Sequence, residues 1–451
     1  MFDSIKRSVR ANPLIYSLAK PVYRAITHIF FANFHTKAGR SSQHRGREAV
    51  VYLNKEFSRK VNEIPNVFYF DGRHEELYQL KMWFKPFRDC NIDFYVCVRH
   101  KGFLQTLDNL GIKAVAIPML SDLGWIGLNG GRSIFYVNNC TRNTHMVRYK
   151  DLTHIQLLHG DSDKPPSFSP VSQMYDLLFV AGQAAIDRYY VNGVYIPKEK
   201  FVISSRPQLS EFGDSCAYAD LSPEEKVLDL VSSQPIIFFA TTWKGVQVES
   251  NYSTIDSVLS SIREALEDGF SVIFRPHPLS CSDISDRLYI SEIRQLLDEY
   301  SYAEHQFGLY SDPTSGGSGT GIDNYNEIAN LADILVADLA STVHDWFYME
   351  KPCFILKSDH ISDEVYGSSS LNRSGVLAFW NPDNDITAFL EAMVEFHSST
   401  RLARARTYLN GVSGDETALE RFDKSLTYVL ESFNKSVQVE AMLGQPPTFR
   451  P

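Results

Sequence analysis

The segment that decides the fold reads Ile334-Leu-Val-Ala-Asp338-Leu-Ala-Ser341-Thr342-Val-His344-Asp345. Its first four residues form a continuous apolar run, which is typical of a parallel strand buried on both faces. A turn of small residues follows, and a helix is predicted to begin near Ser341 and Thr342. The free N–H groups and the dipole at such a helix start favour an anion, and a diphosphate is the natural guest. Capping of the helix by Ser or Thr is the alternative, and it needs no ligand.

Similar apolar runs recur from residue 49 onward, and stretches with helical period, such as Glu75–Arg88 and Ile255–Glu267, separate them. Alternation of strands and helices predicts an α/β fold with doubly wound parallel sheets. The pattern breaks near Glu211–Ser233, so two Rossmann-like lobes are expected to face each other across a cleft. The predicted strands are Ala49–Leu53, Val67–Phe70, Phe94–Val98, Lys113–Ile117, Ser133–Val137, His154–Leu158, Leu177–Val180, Ile236–Ala240, Val272–Phe274, Ile334–Ala337 and Cys353–Leu356.

Four segments are therefore predicted in the 451 residues, a length that favours more than one domain. Residues 1–47 are a basic, amphipathic helical segment with a linker. Residues 48–215 form an N-terminal Rossmann-like lobe, and residues 216–400 form a C-terminal Rossmann-like lobe. Residues 401–451 are helices and a tail.

Charge is distributed unevenly along the chain. The formal net charge is −10, which argues against nucleic acid as a partner. Residues 1–50 hold nine Lys or Arg against two acidic residues, a net +7, so the remainder carries −17. Within residues 1–35, apolar residues recur at helical spacing beside basic ones, which predicts either a helix in a membrane interface or a helix packed on the protein's own body. An anionic membrane surface is the partner that this basic end favours.

The cysteines and the hydropathy pattern bear on the compartment. Six scattered cysteines without a CxxC pair indicate reduced thiols in a cytosolic compartment. No apolar run approaches the roughly 18–20 residues that span a bilayer, and the amino end lacks a signal-peptide pattern. The expected location is cytoplasmic.

Three more predicted strands end in polar side chains, where open parallel sheets bind ligands. One leads into His159-Gly160-Asp161-Ser162-Asp163-Lys164. The imidazole of His159 is a candidate general base with Asp161 or Asp163 to orient it, and a helix-capping loop His is the alternative. The glycine is expected to allow the sharp turn.

The other two lie in the second lobe. A strand runs into Arg275-Pro276-His277-Pro278, where two prolines fix the backbone around one imidazole. Arg275 and His277 are candidates to bind or protonate phosphate oxygens, and a plain strand-ending turn is the alternative. Another strand ends in Thr241-Thr242-Trp243-Lys244, which adds hydroxyls and a cation to the same cleft.

The order of these four sites over about 200 residues resembles the CDP-glycerol glycerophosphotransferase family, the glycerol- and ribitol-phosphate transferases of teichoic acid and capsule synthesis. The family's His-Gly-Thr-Pro motif is similar to His159-Gly160-Asp161-Ser162, with Lys164 after it. Its Pro-Thr-Trp-Arg motif is similar to Thr241–Lys244, and Arg-x-His-Pro is present as Arg275–Pro278. Its Asp-Tyr-Ser-Ser turn is similar to Asp338–Thr342, with Asp345 and Lys351-Pro352 following. Asp161 in place of Thr and Leu339 in place of Tyr are departures.

The resemblance implies a fold, a reaction and a set of site residues. The implied fold is GT-B-like. The implied reaction moves an alditol phosphate, glycerol or ribitol phosphate, from a CDP-activated donor to a hydroxyl of a lipid-linked or polymeric cell-surface glycan acceptor, at the inner face of the cell membrane. By resemblance, His159 and His277 are the essential catalytic pair, and the Ser341-Thr342 turn holds the phosphates of the donor. The residues themselves add further candidates: catalytic Asp161; donor-binding Arg275, Thr242, Lys244 and Asp345; and acceptor-binding Lys164.

No tightly bound cofactor is expected, and no metal, because no Asp/Glu cluster has clear metal-ligand spacing. Two other functions stay open on the sequence. One is a GT-B glycosyltransferase that uses a nucleotide sugar for cell-surface polysaccharide synthesis. The other is a non-catalytic binding protein of the same fold.

Overall fold

The computed structural model describes residues 49–57, 64–212, 222–233, 235–245, 251–300, 306–313, 325–381 and 386–443. The predicted amino-terminal helix lies outside these ranges, as do the last eight residues. Two β-sheets are described, one in each half of the chain. The boundaries predicted between the four segments stay predictions.

The first sheet has eight strands in the order β1-β4-β3-β2-β5-β6-β7-β8. All neighbours run parallel except β1, which pairs antiparallel with β4. The strands β2 to β7 follow the Rossmann order, and the order in which strands are added to the sheet reverses between β2 and β5. The eight strands are β1 (Tyr52–Leu53), β2 (Asn66–Phe70), β3 (Phe94–Val98), β4 (Ala114–Ala116), β5 (Ser133–Tyr136), β6 (Thr153–Gln156), β7 (Leu177–Val180) and β8 (Phe201–Ile203).

The second sheet has five strands, all parallel, in the order β11-β10-β9-β12-β13. Successive strands are added on one side of β9 up to β11 and on its other side from β12 onward. The carboxyl ends of β9 and β12 therefore flank the crevice where such sheets bind ligands. The strands are β9 (Ile236–Thr241), β10 (Ser271–Pro276), β11 (Gly308–Tyr310), β12 (Ile334–Ala337) and β13 (Cys353–Ile355).

Helices of one to seven turns connect the strands and cover the sheets. In the first half they are α1 (Tyr78–Lys81), α2 (Phe84–Asp89), α3 (Phe103–Asn109), α4 (Trp125–Leu128), α5 (Thr144–Val147) and α6 (Gln183–Val191). In the second half they are α7 (Pro223–Ser233), α8 (Val258–Glu267), α9 (Ile284–Tyr300), α10 (Tyr325–Leu331), α11 (Ser341–Trp346), α12 (Asp363–Gly367), α13 (Ser370–Ser374), α14 (Ile386–Phe396), α15 (Ser399–Asn410) and α16 (Ala418–Leu443).

The strands are buried on both faces, which explains their continuous apolar runs. Every residue of β2, β3 and β12 is buried, and each sheet packs against an apolar cluster on either side. Together with the parallel topology, this confirms the predicted α/β class with two Rossmann-like lobes. No helix within the described ranges has the length and hydropathy needed to cross a bilayer.

Candidate active site

The loop after β6 places His159 at the carboxyl edge of the first sheet. The strand ends two residues earlier than predicted, and Leu158 adopts the left-handed conformation at φ 59°. The sharp turn therefore falls on Leu158 and not on Gly160, which was predicted to allow it. The indole N–H of Trp83 donates to the carbonyl of Leu158 at 2.8 Å and fixes this strained residue.

The hydrogen bond of His159 sets its tautomer. Nδ1 lies 2.8 Å from the carbonyl oxygen of Val137, and because a carbonyl only accepts, Nδ1 carries the proton in the neutral ring. Nε2 is then left with its lone pair. Burial lowers the pKa of His159, the Val137 carbonyl opposes this shift, and the positive charge of Arg206 lowers the pKa further. The ring is thus a neutral base at pH 7.

His277 has the opposite tautomer. Its Nδ1 accepts the backbone N–H of Leu279 at 3.1 Å, so Nε2 carries the proton of the neutral ring. Its ring stacks on Trp243, with centroids 6.0 Å apart. Burial and the charge of Lys164 lower the pKa of His277 to about 4. At neutral pH, His277 is therefore suited to donate a hydrogen bond to a phosphate oxygen rather than to act as a charged acid.

Asp161 does not orient His159 in this structure. Its carboxylate accepts from both Nη atoms of Arg188, at 2.6 and 3.2 Å, and Nε of the same arginine donates to Asp163 at 3.0 Å. All three side chains are buried. The predicted pairing is replaced because an arginine fork matches two carboxylates better than an imidazole does.

His344 on α11 closes this cluster from the second half of the chain. Its Nδ1 donates to the carbonyl oxygen of Asp161 at 3.0 Å, and its Nε2 lies 3.3 Å from Asp163, without hydrogen-bond geometry. Ser370 also donates to Asp163 through its hydroxyl, at 2.6 Å. Burial works to raise the pKa of Asp163, but His344, Arg188 and Ser370 together hold it well below its usual range.

Lys164 crosses to the second sheet. Its Nζ donates to the hydroxyl of Thr242 at 2.7 Å and lies 5.5 Å from the ring centroid of Tyr252. The backbone N–H of Thr242 in turn donates to buried Asp338 at 2.5 Å. Burial lowers the pKa of Lys164, and Asp338 opposes that shift. The expected acceptor-binding lysine therefore lies beside the residues expected to bind the donor.

Two further candidates of the second lobe, Arg275 and Lys244, each contact a side chain of the same lobe. Arg275 lies at the end of β10 and donates to Ser311 at 2.6 Å. Lys244 is turned toward α9, where Nζ pairs with Asp286 at 2.7 Å. Asp286 raises the pKa of Lys244, so the ammonium stays charged and its charge is balanced by this carboxylate. The assignment of Lys244 to the donor stays a prediction.

The helix α11 begins at Ser341, and Ala340 is its N-cap residue without a side-chain cap. Ser341 and Thr342 are partly exposed and do not cap the helix. A Cβ built on Gly160 would lie 3.6 Å from Cβ of Ser341, so the His159 loop directly faces this turn. Asp345, expected to bind the donor, forms an ion pair with Arg206, and its assignment to the donor stays a prediction.

The structure thus adds Arg188 and Arg206 to the side chains that surround the His159 loop and the start of α11. Neither stands in a pattern that marks it in the sequence, since one lies inside a helix and the other between a short strand and a proline. The described residues contain no group of three or more His, Cys, Asp or Glu placed to hold a metal ion.

Comparison with known proteins identifies one matching family. The model described as CDP-Glycerol:Poly(glycerophosphate) glycerophosphotransferase matches residues 130–366, more than half of the chain. The matched range includes His159, His277 and Ser341. No curated protein matches the chain.

Several solved structures are similar at low identity. The wall teichoic acid polymerase TagF is 14% identical with a TM-score of 0.47, covering 86% of this chain and 92% of that one. A UDP-GlcNAc 2-epimerase from Neisseria meningitidis bound to UDP-GlcNAc is 10% identical with a TM-score of 0.48, covering 81% and 100%. A glycosyltransferase from Rickettsia africae ESF-5 is 10% identical with a TM-score of 0.48, covering 82% and 99%.

Proposed function

Since this chain belongs to the CDP-glycerol:poly(glycerophosphate) glycerophosphotransferase family, we propose that it transfers glycerol phosphate from CDP-glycerol to a hydroxyl of a lipid-linked or polymeric cell-surface acceptor. Membership makes the protein a transferase. The observation that carries the detailed proposal is the pair of neutral histidines with opposite tautomers, one that accepts a proton at Nε2 and one that donates there.

The reaction divides between the two lobes. Nε2 of His159 takes the proton from the acceptor hydroxyl, whose oxygen attacks the β-phosphorus of the donor. A P–O bond forms to the acceptor, the bond from the β-phosphorus to the bridging oxygen breaks, and CMP leaves with that oxygen and its electron pair. The N–H groups of His277 and Arg275 and the hydroxyls of Ser341 and Thr342 stabilise the charge that develops on the diphosphate.

CMP release is the direct test. Purified protein is incubated with CDP-glycerol and a glycerol-phosphate-primed acceptor, and CMP is quantified beside the extended product. CDP-ribitol and a panel of UDP- and GDP-sugars are run in parallel. We expect CMP release with CDP-glycerol that depends on the acceptor. Turnover of CDP-ribitol alone would redefine the donor, turnover of a nucleotide sugar would favour a glycosyltransferase, and inactivity across the panel would favour a binding protein.

A peripheral position on the inner face of the cell membrane is the second part of the proposal. Its support is the net +7 of residues 1–50 against −17 for the rest of the chain. Each basic residue near an anionic surface contributes about 1 kcal/mol. Deletion of residues 1–35 is expected to reduce co-sedimentation with anionic liposomes and to slow transfer to a lipid-linked acceptor, while transfer to a short soluble acceptor changes little. Equal co-sedimentation of the truncated and full-length proteins would contradict it.

A further inference from the structure

Arg206 lies where the two halves of the chain meet. It follows β8 by three residues, and the preceding Ser205 is held in the left-handed conformation at φ 59°. Its side chain is 11% exposed and pairs through Nη1 with the carboxylate of Asp345 on α11. A strained residue and an ion pair with little solvent exposure together fix this guanidinium between the first sheet and the helix of the Ser341-Thr342 turn.

The surroundings of Arg206 are those of the candidate active site. It lines a small cavity together with Leu158 and Gly160, the residues on either side of His159. Asp345, its partner, lies on α11 one turn after Ser341, on the same face of the helix. Arg206 therefore adjoins both the loop of the proposed base and the turn of the proposed donor site.

A buried hydroxyl without a partner lies in the same region. Within the described part of the chain, the Tyr325 hydroxyl is buried and makes no hydrogen bond. Burial raises the pKa of this hydroxyl, and the charged groups that act on it include Asp345, Arg206 and Arg275. Arg206 and Arg275 thus act on the same hydroxyl from different halves of the chain, and guanidinium groups are donors suited to phosphate oxygens.

The charges decide between Arg206 and Asp345 as the ligand. A carboxylate repels a diphosphate, so Asp345 by itself is poorly suited to bind the diphosphate of the CDP-activated donor. A guanidinium has five N–H donors in a rigid fork, and the contact with Asp345 is made through Nη1. Asp345 can hold the fork in place while other N–H groups of the same guanidinium bind phosphate.

We propose that Arg206 is a phosphate-binding residue contributed by the first lobe, which contacts the phosphoryl group that is transferred, and that Asp345 is its positioning residue. The proposal rests on the proposed function, because it names a further group for the same reaction. It gives the lobe that holds the base a cation of its own for the transition state, in addition to Arg275 in the second lobe. Apposition of the two lobes then completes the charge around the phosphoryl group.

The test compares four variants in the full-length protein. Arg206→Gln removes the charge, Arg206→Lys keeps the charge without the fork, and Arg206→Ala leaves space for a soluble guanidinium ion. Arg404→Gln, at an exposed position of α15, is the matched control. CDP affinity is measured by calorimetry, and kcat and KM are measured for CDP-glycerol at a saturating acceptor concentration.

Removal of one such contact typically lowers kcat by about 100- to 1000-fold, and we expect a loss of this order for Arg206→Gln, with Arg206→Lys intermediate. Guanidinium chloride, at concentrations that leave the unmodified enzyme unaffected, is expected to restore activity to Arg206→Ala, whereas urea is not. The acidic limb of the kcat/KM profile is expected to move to higher pH in Arg206→Gln, because loss of the positive charge raises the pKa of His159.

Two results would overturn the proposal. One is a kcat/KM for Arg206→Gln close to that of Arg404→Gln. The other is a loss of activity that accompanies a lower melting temperature, is not rescued by guanidinium and is shared by Arg206→Lys, since this outcome assigns Arg206 to structure alone. Failure of the proposed function is distinguished by the unmodified protein, which would then neither bind CDP nor release CMP from CDP-glycerol.

Discussion

His159 and His277 differ in the nitrogen that carries the proton, because each ring is fixed by a different backbone group. A carbonyl oxygen of Val137 requires Nδ1–H in His159, whereas the N–H of Leu279 requires a bare Nδ1 in His277. Burial keeps both rings neutral at pH 7 by lowering their pKa values. One neutral ring can accept a proton and the other can donate a hydrogen bond, so the two have separate tasks.

The pH profile tests the role of His159. The base must be neutral, so activity is lost as the pH falls through its pKa. Burial holds that pKa below the ordinary value of about 6.5, and kcat/KM is therefore expected to stay level from neutral pH to below that value before it falls. His159→Asn should lower kcat/KM by at least about 100-fold and remove this limb. An acidic limb at or above the ordinary pKa would contradict the assignment, and His360→Asn, a partly exposed histidine, is the control.

The role of His277 is tested by side chains that keep or lose the N–H. His277→Gln retains an amide donor, whereas His277→Ala retains none. If His277 acts by donating a hydrogen bond, the alanine variant should lose about 100-fold or more in kcat, and the glutamine variant should lose clearly less. Steady-state kinetics on both variants decides the point. Equal losses would indicate that the imidazole itself is needed.

At the scale of elements, the sequence predicts strands well where burial is complete and poorly at sheet edges. Asn66–Phe70, Phe94–Val98 and Ile334–Ala337 agree with prediction to within one residue, because every position is buried and all except Asn66, the residue that the prediction omits, are hydrophobic. The edge strand β8 and the short β11 were not predicted, since partial exposure dilutes their patterns. The run at Ala49–Leu53 became a two-residue antiparallel strand whose side chains are exposed.

The same limit applies to the site. Strand ends marked His159, Arg275, His277 and the Ser341-Thr342 turn, because parallel sheets bring such ends to one edge. The partners of Asp161 and Asp345 were not predictable, since Arg188 and Arg206 reach them from 27 and 139 residues away. Such pairings depend on how the elements pack, which local patterns do not record.

Arg188 on α6 is the residue on which the buried cluster depends. Its replacement by Met leaves Asp161 and Asp163 buried without their cation, and breaking a buried pair in this way costs about 3 to 5 kcal/mol. We expect Arg188→Met to lower the stability by that amount in urea denaturation at pH 7, with Arg404→Met as the exposed control. Addition of Asp161→Asn and Asp163→Asn should recover part of the loss.

The difference in stability between Arg188→Met and the unmodified protein is expected to depend on pH through Asp163. Its pKa is lower in the folded protein than in the unfolded chain, so its contribution is complete at neutral pH and is lost as the pH falls through the acidic range below about 4. The gap between Arg188→Met and the unmodified protein should therefore narrow in acid. A gap that stays constant down to pH 3, or a loss no larger than that of the control, would contradict this account.

At the scale of the whole molecule, the chain crosses between the halves more than once. The helix α16, at the end of the described chain, packs into the core of the first sheet through Phe422, Leu426 and Val429. Its first turn contacts both halves, since Ala418 N–H donates to Tyr348 and Leu419 N–H donates to Ser210. The packing of α16 therefore stabilises the first lobe, although this helix follows the second lobe in the sequence.

Phe422 makes this dependence measurable. Its side chain is fully buried and contacts Trp83, Phe87 and Phe179, and Trp83 in turn fixes the carbonyl of Leu158 beside His159. Truncation of a buried Phe costs about 3 to 5 kcal/mol, so Phe422→Ala should lower the stability in urea by that order. Because the cavity opens next to Trp83, kcat should fall more than donor affinity. Tyr428→Ala on the same helix removes a side chain that is 74% exposed, and its effect should stay within about 0.5 kcal/mol. Similar effects of the two substitutions would show that α16 is not needed to hold the first lobe or its candidate base in place.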